Sequence, residues 1–177
     1  SLPYALAVWH YAHGMAAVRT AKPDEAIMHL DTMRRIGSTP ELANQRIWGF
    51  NSFAEVIGIA ANVLDGEIQA LHGNNEGAIQ ALQRAMKSED GLLYQEPPDW
   101  YYPVRETLGN LYLKAGKPKD AEKMFLEDLK MYPENGWALG GLYRALKAQG
   151  KEREAADVKK RVDKAFADAD ESLKDIS

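Results

Sequence analysis

A twelve-residue interval, repeated across helix-breaking turns, constrains this chain more than any other feature. Four times a small or aromatic residue late in one helical stretch is followed, past a short break, by an alanine early in the next. The pairs are Gly14 and Ala26, Gly66 and Ala78, Gly109 and Ala121, and Tyr143 and Ala155, each 12 residues apart. The breaks share one chemistry: Ala21-Lys22-Pro23-Asp24-Glu25, Gly73-Asn74-Asn75-Glu76, Gly116-Lys117-Pro118-Lys119-Asp120 and Gly150-Lys151-Glu152-Arg153-Glu154. Glycine ends a helix by taking the left-handed conformation, and proline fits the first turn of the next. Acidic residues there favour the positive end of the helix dipole. An alanine at the same place in each unit predicts a close helix crossing that a larger side chain would push apart. Apolar residues then recur at helical spacing, as in Ala121, Met124, Phe125 and Leu129.

Ala121 and Ala155 lie 34 residues apart, with Leu108-Gly109, Tyr112, Gly116, Phe125 and Pro133 in register. That period resembles the tetratricopeptide repeat (TPR). The third unit matches best; the fourth keeps Leu142, Leu146 and Gly150 but has Lys159 where an aromatic residue is usual. The first two alanines stand 52 and 43 residues before the next, so these units carry insertions of 18 and 9 residues relative to 34. The first lies near Gly37-Ser38-Thr39-Pro40, after which 41–71 shows helical spacing interrupted only by Gly49 and Gly58 and reads as one long helix. The second, Gly91 to Asp99, holds Pro97 and Pro98 and reads as an extended loop. Helices are predicted over 3–20, 23–36, 41–72, 75–88, 102–115, 118–131, 135–149 and 152–174, with no strand. The expected fold is all-α: a right-handed α-solenoid of about four antiparallel helix pairs (3–36, 41–88, 102–131 and 135–174) in a single domain, with one long helix and a proline-rich insertion.

Three further runs, Trp9-His10-Tyr11-Ala12, Glu96-Pro97-Pro98-Asp99-Trp100-Tyr101-Tyr102-Pro103-Val104-Arg105 and Pro133-Glu134-Asn135-Gly136-Trp137-Ala138-Leu139, together resemble the C-terminal part of a group of longer bacterial TPR proteins. The resemblance covers nearly the whole chain. It implies the fold and a C-terminal position in a longer protein, and no activity. The last predicted helix agrees, because Lys159, Lys160, Arg161, Asp163, Lys164, Asp168, Asp170 and Glu171 give it the polar surface of a solenoid cap. The stretch Leu2–Val18 is apolar on nearly every face. It is expected to hide that surface by self-association or under another segment.

Charge and composition narrow the function. Net charge is −4, with −5 over residues 1–100 and +1 over the rest, which offers no basic field for nucleic acid. There is no cysteine, hence no disulfide, thiolate metal site or cysteine nucleophile. No apolar run approaches the ~20 residues needed to cross a bilayer. A soluble protein of the cytoplasm or periplasm is expected. His10 and His13 are three apart on one helix face, but no third ligand is in view, and His29 and His72 stand alone. No serine sits in a nucleophile elbow, no glycine-rich phosphate loop is present, and Asp65-Gly66-Glu67 reads as helix interior. Neither a catalytic residue, a metal site nor a cofactor is expected.

Two candidate sites remain. In TPR solenoids the first helix of each pair lines the concave face, which the resemblance assigns here to Glu106, Asn110, Leu113 and Lys114, to Trp137, Arg144 and Lys147, to Tyr11 and Met15, and, in the second unit, to Val63 and Glu67. Asn110, Lys114, Arg144 and Lys147 suit a carboxylate or an extended peptide backbone. The other candidate is Pro97 to Arg105, where Trp100, Tyr101 and Tyr102 either form a recognition platform or let Trp100 plug the gap left by the insertion. The leading expectation is a non-enzymatic scaffold that binds a protein or peptide on the concave face. The alternative is a regulatory or sensor domain holding a small molecule in an aromatic pocket between the long helix and the proline-rich loop, near Trp48, Phe50 and Trp100.

Overall fold

The computed structural model describes residues 2–170, and these divide after Val104 into two compact units. The first holds α1 (Leu2–Arg19), α2 (Pro23–Gly37), α3 (Pro40–Asn44), α4 (Phe53–Leu71) and α5 (Asn75–Asp90), followed by an irregular loop. The second holds α6 (Val104–Lys114, its first residue closing the first unit), α7 (Pro118–Met131), α8 (Gly136–Ala148) and α9 (Glu152–Ala165). No strand occurs among the described residues, only one isolated bridge between Arg46 and Ser52.

The breaks work as their composition dictates. Gly73, Gly116 and Gly150 take positive φ of 75, 70 and 72°, and Ala21 takes 54° at the first break. Pro23 and Pro118 open α2 and α7, with Asp24, Glu25 and Asp120 in the first turns. Asn74 and Asn135 cap α5 and α8 by accepting from the backbone N–H of Gly77 and Trp137, each at 3.1 Å.

All four repeat alanines, Ala26, Ala78, Ala121 and Ala155, are buried at helix crossings. Three of their partners are glycines, and these sit where a side chain would clash. A Cβ on Gly14 would lie 2.5 Å from Leu64, and one on Gly66 would lie 2.8 Å from Leu82. In the second unit the Phe125 ring sits between two glycines, and a Cβ would lie 2.7 Å from it at Gly109 and 2.3 Å at Gly141.

The long helix expected over 41–72 does not form. After the five-residue α3 the chain turns back, with Trp48 and Gly49 both at positive φ (50 and 88°) and the Phe50 N–H donating to Ile47 O at 2.9 Å. Two successive left-handed residues make a type I′ turn. A new helix then starts at Ser52, whose hydroxyl accepts from Glu55 N–H at 3.1 Å while the Glu55 carboxylate accepts from Ser52 N–H at 2.6 Å. This is a capping box, and Ser52-Phe53-Ala54-Glu55 spells it in the sequence. The break lets Leu42 of α3 pack fully buried with Ala7 and Ile57. The last helix also ends early, at Ala165, where Phe166 packs on Gly136; residues 171–174 of its expected span lie outside the described residues.

Candidate functional site

The first unit contains an aromatic cavity of about 110 Å³. Helix α1 presents Tyr4, Ala7, Val8 and Tyr11 along one face, at the i, i+3, i+4, i+7 spacing of a single helical stripe. The loop after α5 adds Asp99, Trp100 and Tyr101, and Met33 with Val56, Ile57 and Ala60 of α4 completes the wall. Three residues nominated from sequence, Tyr11, Trp100 and Tyr101, therefore meet here. The rings are steeply inclined: Tyr11 and Trp100 have centroids 5.7 Å apart at 67°, and Trp100 and Tyr101 5.4 Å apart at 46°. Trp100 is 7% exposed and Tyr101 72%, so one ring forms wall and the other rim. The Trp100 indole N–H is buried with no hydrogen-bond partner among the described residues.

The loop is pinned by a residue that sequence reading passed over. Asn51 is buried; its amide donates to Leu93 O at 2.9 Å and to the Asp99 carboxylate at 2.7 Å, and its own carbonyl accepts from Leu93 N–H at 2.8 Å. Asn51 can do this only because the turn at Trp48-Gly49 lifts it out of helix. Burial, and then the Asp99 carboxylate, push the Tyr4 phenol above its ordinary value. Burial foremost, then Tyr101, push Tyr11 well above its own. Both phenols stay neutral at physiological pH. The pocket does not involve Trp48 and Phe50 as expected: Trp48 is 87% exposed on the turn, and Phe50 is also exposed.

The polar face nominated in the second unit is assembled only in part. Asn110 and Arg144 occupy the same position in repeats 34 residues apart, and the Arg144 guanidinium donates to Asn110 Oδ1 at 3.0 Å. Lys114 is exposed beside them in sequence, and Lys147 is held by Glu152 at 2.6 Å. Trp137 is half-exposed and packs edge-on against Phe166 at 5.3 Å. Glu106 does not belong to an open face. It is 2% exposed, and its carboxylate accepts from Asn135 Nδ2 at 2.6 Å. The same amide donates to the fully buried Asp128 at 3.1 Å. Burial, then the neighbouring Glu106 carboxylate, push Asp128 up to about 6. In the first unit Val63 is also buried, and Glu67 pairs with Arg19 at 3.6 Å.

His29 does not stand alone. Its Nδ1 lies 2.8 Å from His10 Nδ1, and its ring centroid is 5.6 Å from that of His13, which stacks on Trp9 at 3.8 Å. The histidines of α1 and α2 thus form one cluster, visible only once the two helices are placed in register. Among the described residues no group of three or more His, Asp or Glu is arranged to hold a metal ion. No described helix is long and apolar enough to cross a membrane. Leu2, Leu6, Val8 and Trp9 of α1 remain exposed in the single chain.

The chain superposes on the crystal structure of MamA protein, a TPR-containing protein, with a TM-score of 0.52 over 92% of each chain at 17% identity. The fold is TPR-like. No protein-family model matches the chain, and no curated protein sequence does. The TPR-like helix pairs carry the buried alanines and glycines at their crossings, while the cavity and the turn that positions Asn51 lie where the 34-residue spacing is interrupted.

Proposed function

We propose that this TPR-like protein is a non-enzymatic scaffold that binds a partner protein or peptide. The observation that carries the reading is the pairing of Asn110 with Arg144 at the same position of successive repeats. Equivalent polar groups spaced by the repeat form a ladder suited to the evenly spaced carbonyls of an extended peptide or to its terminal carboxylate. Lys114 extends that ladder, and Trp137 supplies apolar contact area. The similarity of Glu96–Arg105 and Pro133–Leu139 to a bacterial TPR group is part of the proposal and rests on those motifs. Self-association through α1 is also part of the proposal and rests on its exposed Leu2, Leu6, Val8 and Trp9; sedimentation velocity on Leu6→Lys would test it.

Selection from a random-peptide display library on the purified chain tests the scaffold. Enriched peptides should lose about tenfold or more in affinity with Arg144→Glu or Asn110→Asp, a change of ~1.4 kcal/mol. Failure to enrich any sequence, or binding indifferent to both substitutions, overturns it. A second reading, a small-molecule sensor, is supported by the cavity formed by Tyr4, Tyr11, Asp99, Trp100 and Tyr101.

A further inference from the structure

We infer that the cavity of the first unit is a site for a quaternary ammonium group, of the size of trimethylammonium, held by the rings of Tyr4, Tyr11, Trp100 and Tyr101 and balanced by the Asp99 carboxylate. The inference rests on the small-molecule reading and gives it a ligand chemistry.

Size comes first. A cavity of about 110 Å³ is too small for a nucleoside or a sterol. It is of the same order as the ~150 Å³ engineered cavity that accommodates benzene. One compact group fits, whether from a free molecule or from the end of a side chain.

Charge comes next. Asp99 is the only charged residue lining the cavity. Its described hydrogen bond comes from a neutral amide, that of Asn51 at 2.7 Å, and no ion pair among the described residues engages it. The carboxylate is partly buried at the cavity wall, where a cation in the cavity would meet its charge. Asp99 lines the same cavity as Tyr4, Tyr11, Trp100 and Tyr101, which places its negative charge at the aromatic wall.

The choice among cations follows from the walls. A primary ammonium carries three N–H donors and needs several acceptors, whereas this lining is mostly ring and aliphatic carbon, with only phenol oxygens beside one carboxylate. A quaternary ammonium has no N–H. Its methyl groups bury against Val8, Ile57 and Ala60, and its diffuse charge is attracted to ring faces within ~6 Å. The rings of Tyr11, Trp100 and Tyr101 line the cavity and are inclined to one another by 67 and 46°. With both phenols neutral, Asp99 alone sets the sign of the site.

Calorimetry and ligand-observed NMR on the full chain test this with four probes. They are tetramethylammonium, choline, a trimethyllysine peptide beside its unmodified form, and 3,3-dimethylbutan-1-ol, the neutral isostere of choline. Saturable binding of choline, at least about tenfold tighter than its isostere, is expected. Asp99→Asn, which keeps an acceptor for Asn51, should remove that preference while leaving the helical circular dichroism unchanged. A trimethyllysine peptide that outbinds choline identifies a partner polypeptide as the source, and the reverse order identifies a free metabolite. Equal binding of choline and its isostere, unchanged by Asp99→Asn, overturns the cation assignment and leaves an apolar small-molecule pocket standing. If none of the probes binds, and neither does a panel of neutral single-ring compounds, both the assignment and the sensor reading fall.

Discussion

The two units pack by the same rule and depart from it to different degrees. In the second unit, helices close on a ring: Phe125 is fully buried, with Gly109 on one side and Gly141 on the other. In the first, Gly14 and Gly66 meet the branched ends of Leu64 and Leu82, and extra segments fill what the repeat spacing leaves open. Leu42 of α3 plugs one gap, and the loop carrying Trp100 covers another incompletely, leaving the cavity. Regular spacing gives a core with matched surfaces; inserted residues give concave ones. The candidate ligand cavity lies in the irregular unit because a regular helix crossing has no space to spare.

The largest test of this contrast is Phe125→Ala. No side chain on Gly109 or Gly141 can move into the space, so the cost should approach the ~3–5 kcal/mol of a large aromatic truncation. Urea unfolding would read it. A loss near 1 kcal/mol would mean that the second unit collapses as readily as the first, and the contrast would fail. Next comes a matched pair of glycine substitutions. Gly141→Ala drives a methyl into a ring held on both sides and should cost ~1–3 kcal/mol. Gly14→Ala meets the methyl ends of the buried Leu64, with His29 Cβ at 3.3 Å, and this cost is offset by ~1 kcal/mol of helix propensity. It should come out within ~1 kcal/mol of neutral. Equal losses for the two would show that the crossings are equally rigid.

The helix crossings were legible because they are written locally and repeatedly. Ala26, Ala78, Ala121 and Ala155 are each found buried where the 12-residue interval puts them. The break in the expected long helix is not legible locally, because Gly49 passes for a tolerated helix glycine and only the fold shows Trp48 left-handed beside it. The capping box from Ser52 to Glu55 was the signal that marked a fresh start. Other features are not local at all. Asn51 reaches residues 42 and 48 positions away, and His29 meets His10 only through the register of two helices. Glu106 lies on a helix face that a helical wheel leaves open; the buried Asp128 and the capping Asn135 share its surroundings. Tyr11 lies about 90 residues before Trp100 and Tyr101, and only the folded loop brings them into one site.

A smaller effect sharpens the comparison at the start of α4. Ser52→Ala removes the hydroxyl that accepts from Glu55 N–H and should cost about 1 kcal/mol. The loss should appear as faster hydrogen exchange in the first turn of α4, with the second unit unchanged. Uniform acceleration through both units would show that the turn at Trp48-Gly49 and the second unit share one cooperative transition.

The smallest effects are opposed in sign. Asp128, raised to about 6 by burial and by Glu106, binds its proton more readily folded than unfolded. As pH falls from about 7.5 to about 5.5 the folded state takes up that proton first, so its contribution to stability rises, by under about 1 kcal/mol over this window. His10 is lowered by burial, then by His29, His13 and Arg35. Its proton is bound more readily in the unfolded chain, so its contribution is present above the unfolded value near 6.5 and is lost as pH falls below it. The two partly cancel in the intact protein, and single substitutions separate them. Asp128→Asn should leave a stability that falls more steeply on acidification, and His10→Gln one that falls less steeply or rises. Thermal unfolding midpoints at several pH values would read both, above the range where Glu55 and Glu134, whose carboxyls are lowered by Ser52 and Arg161, begin to protonate. Slopes that steepen for both variants would mean that His10 is protonated more readily in the folded unit than in the open chain.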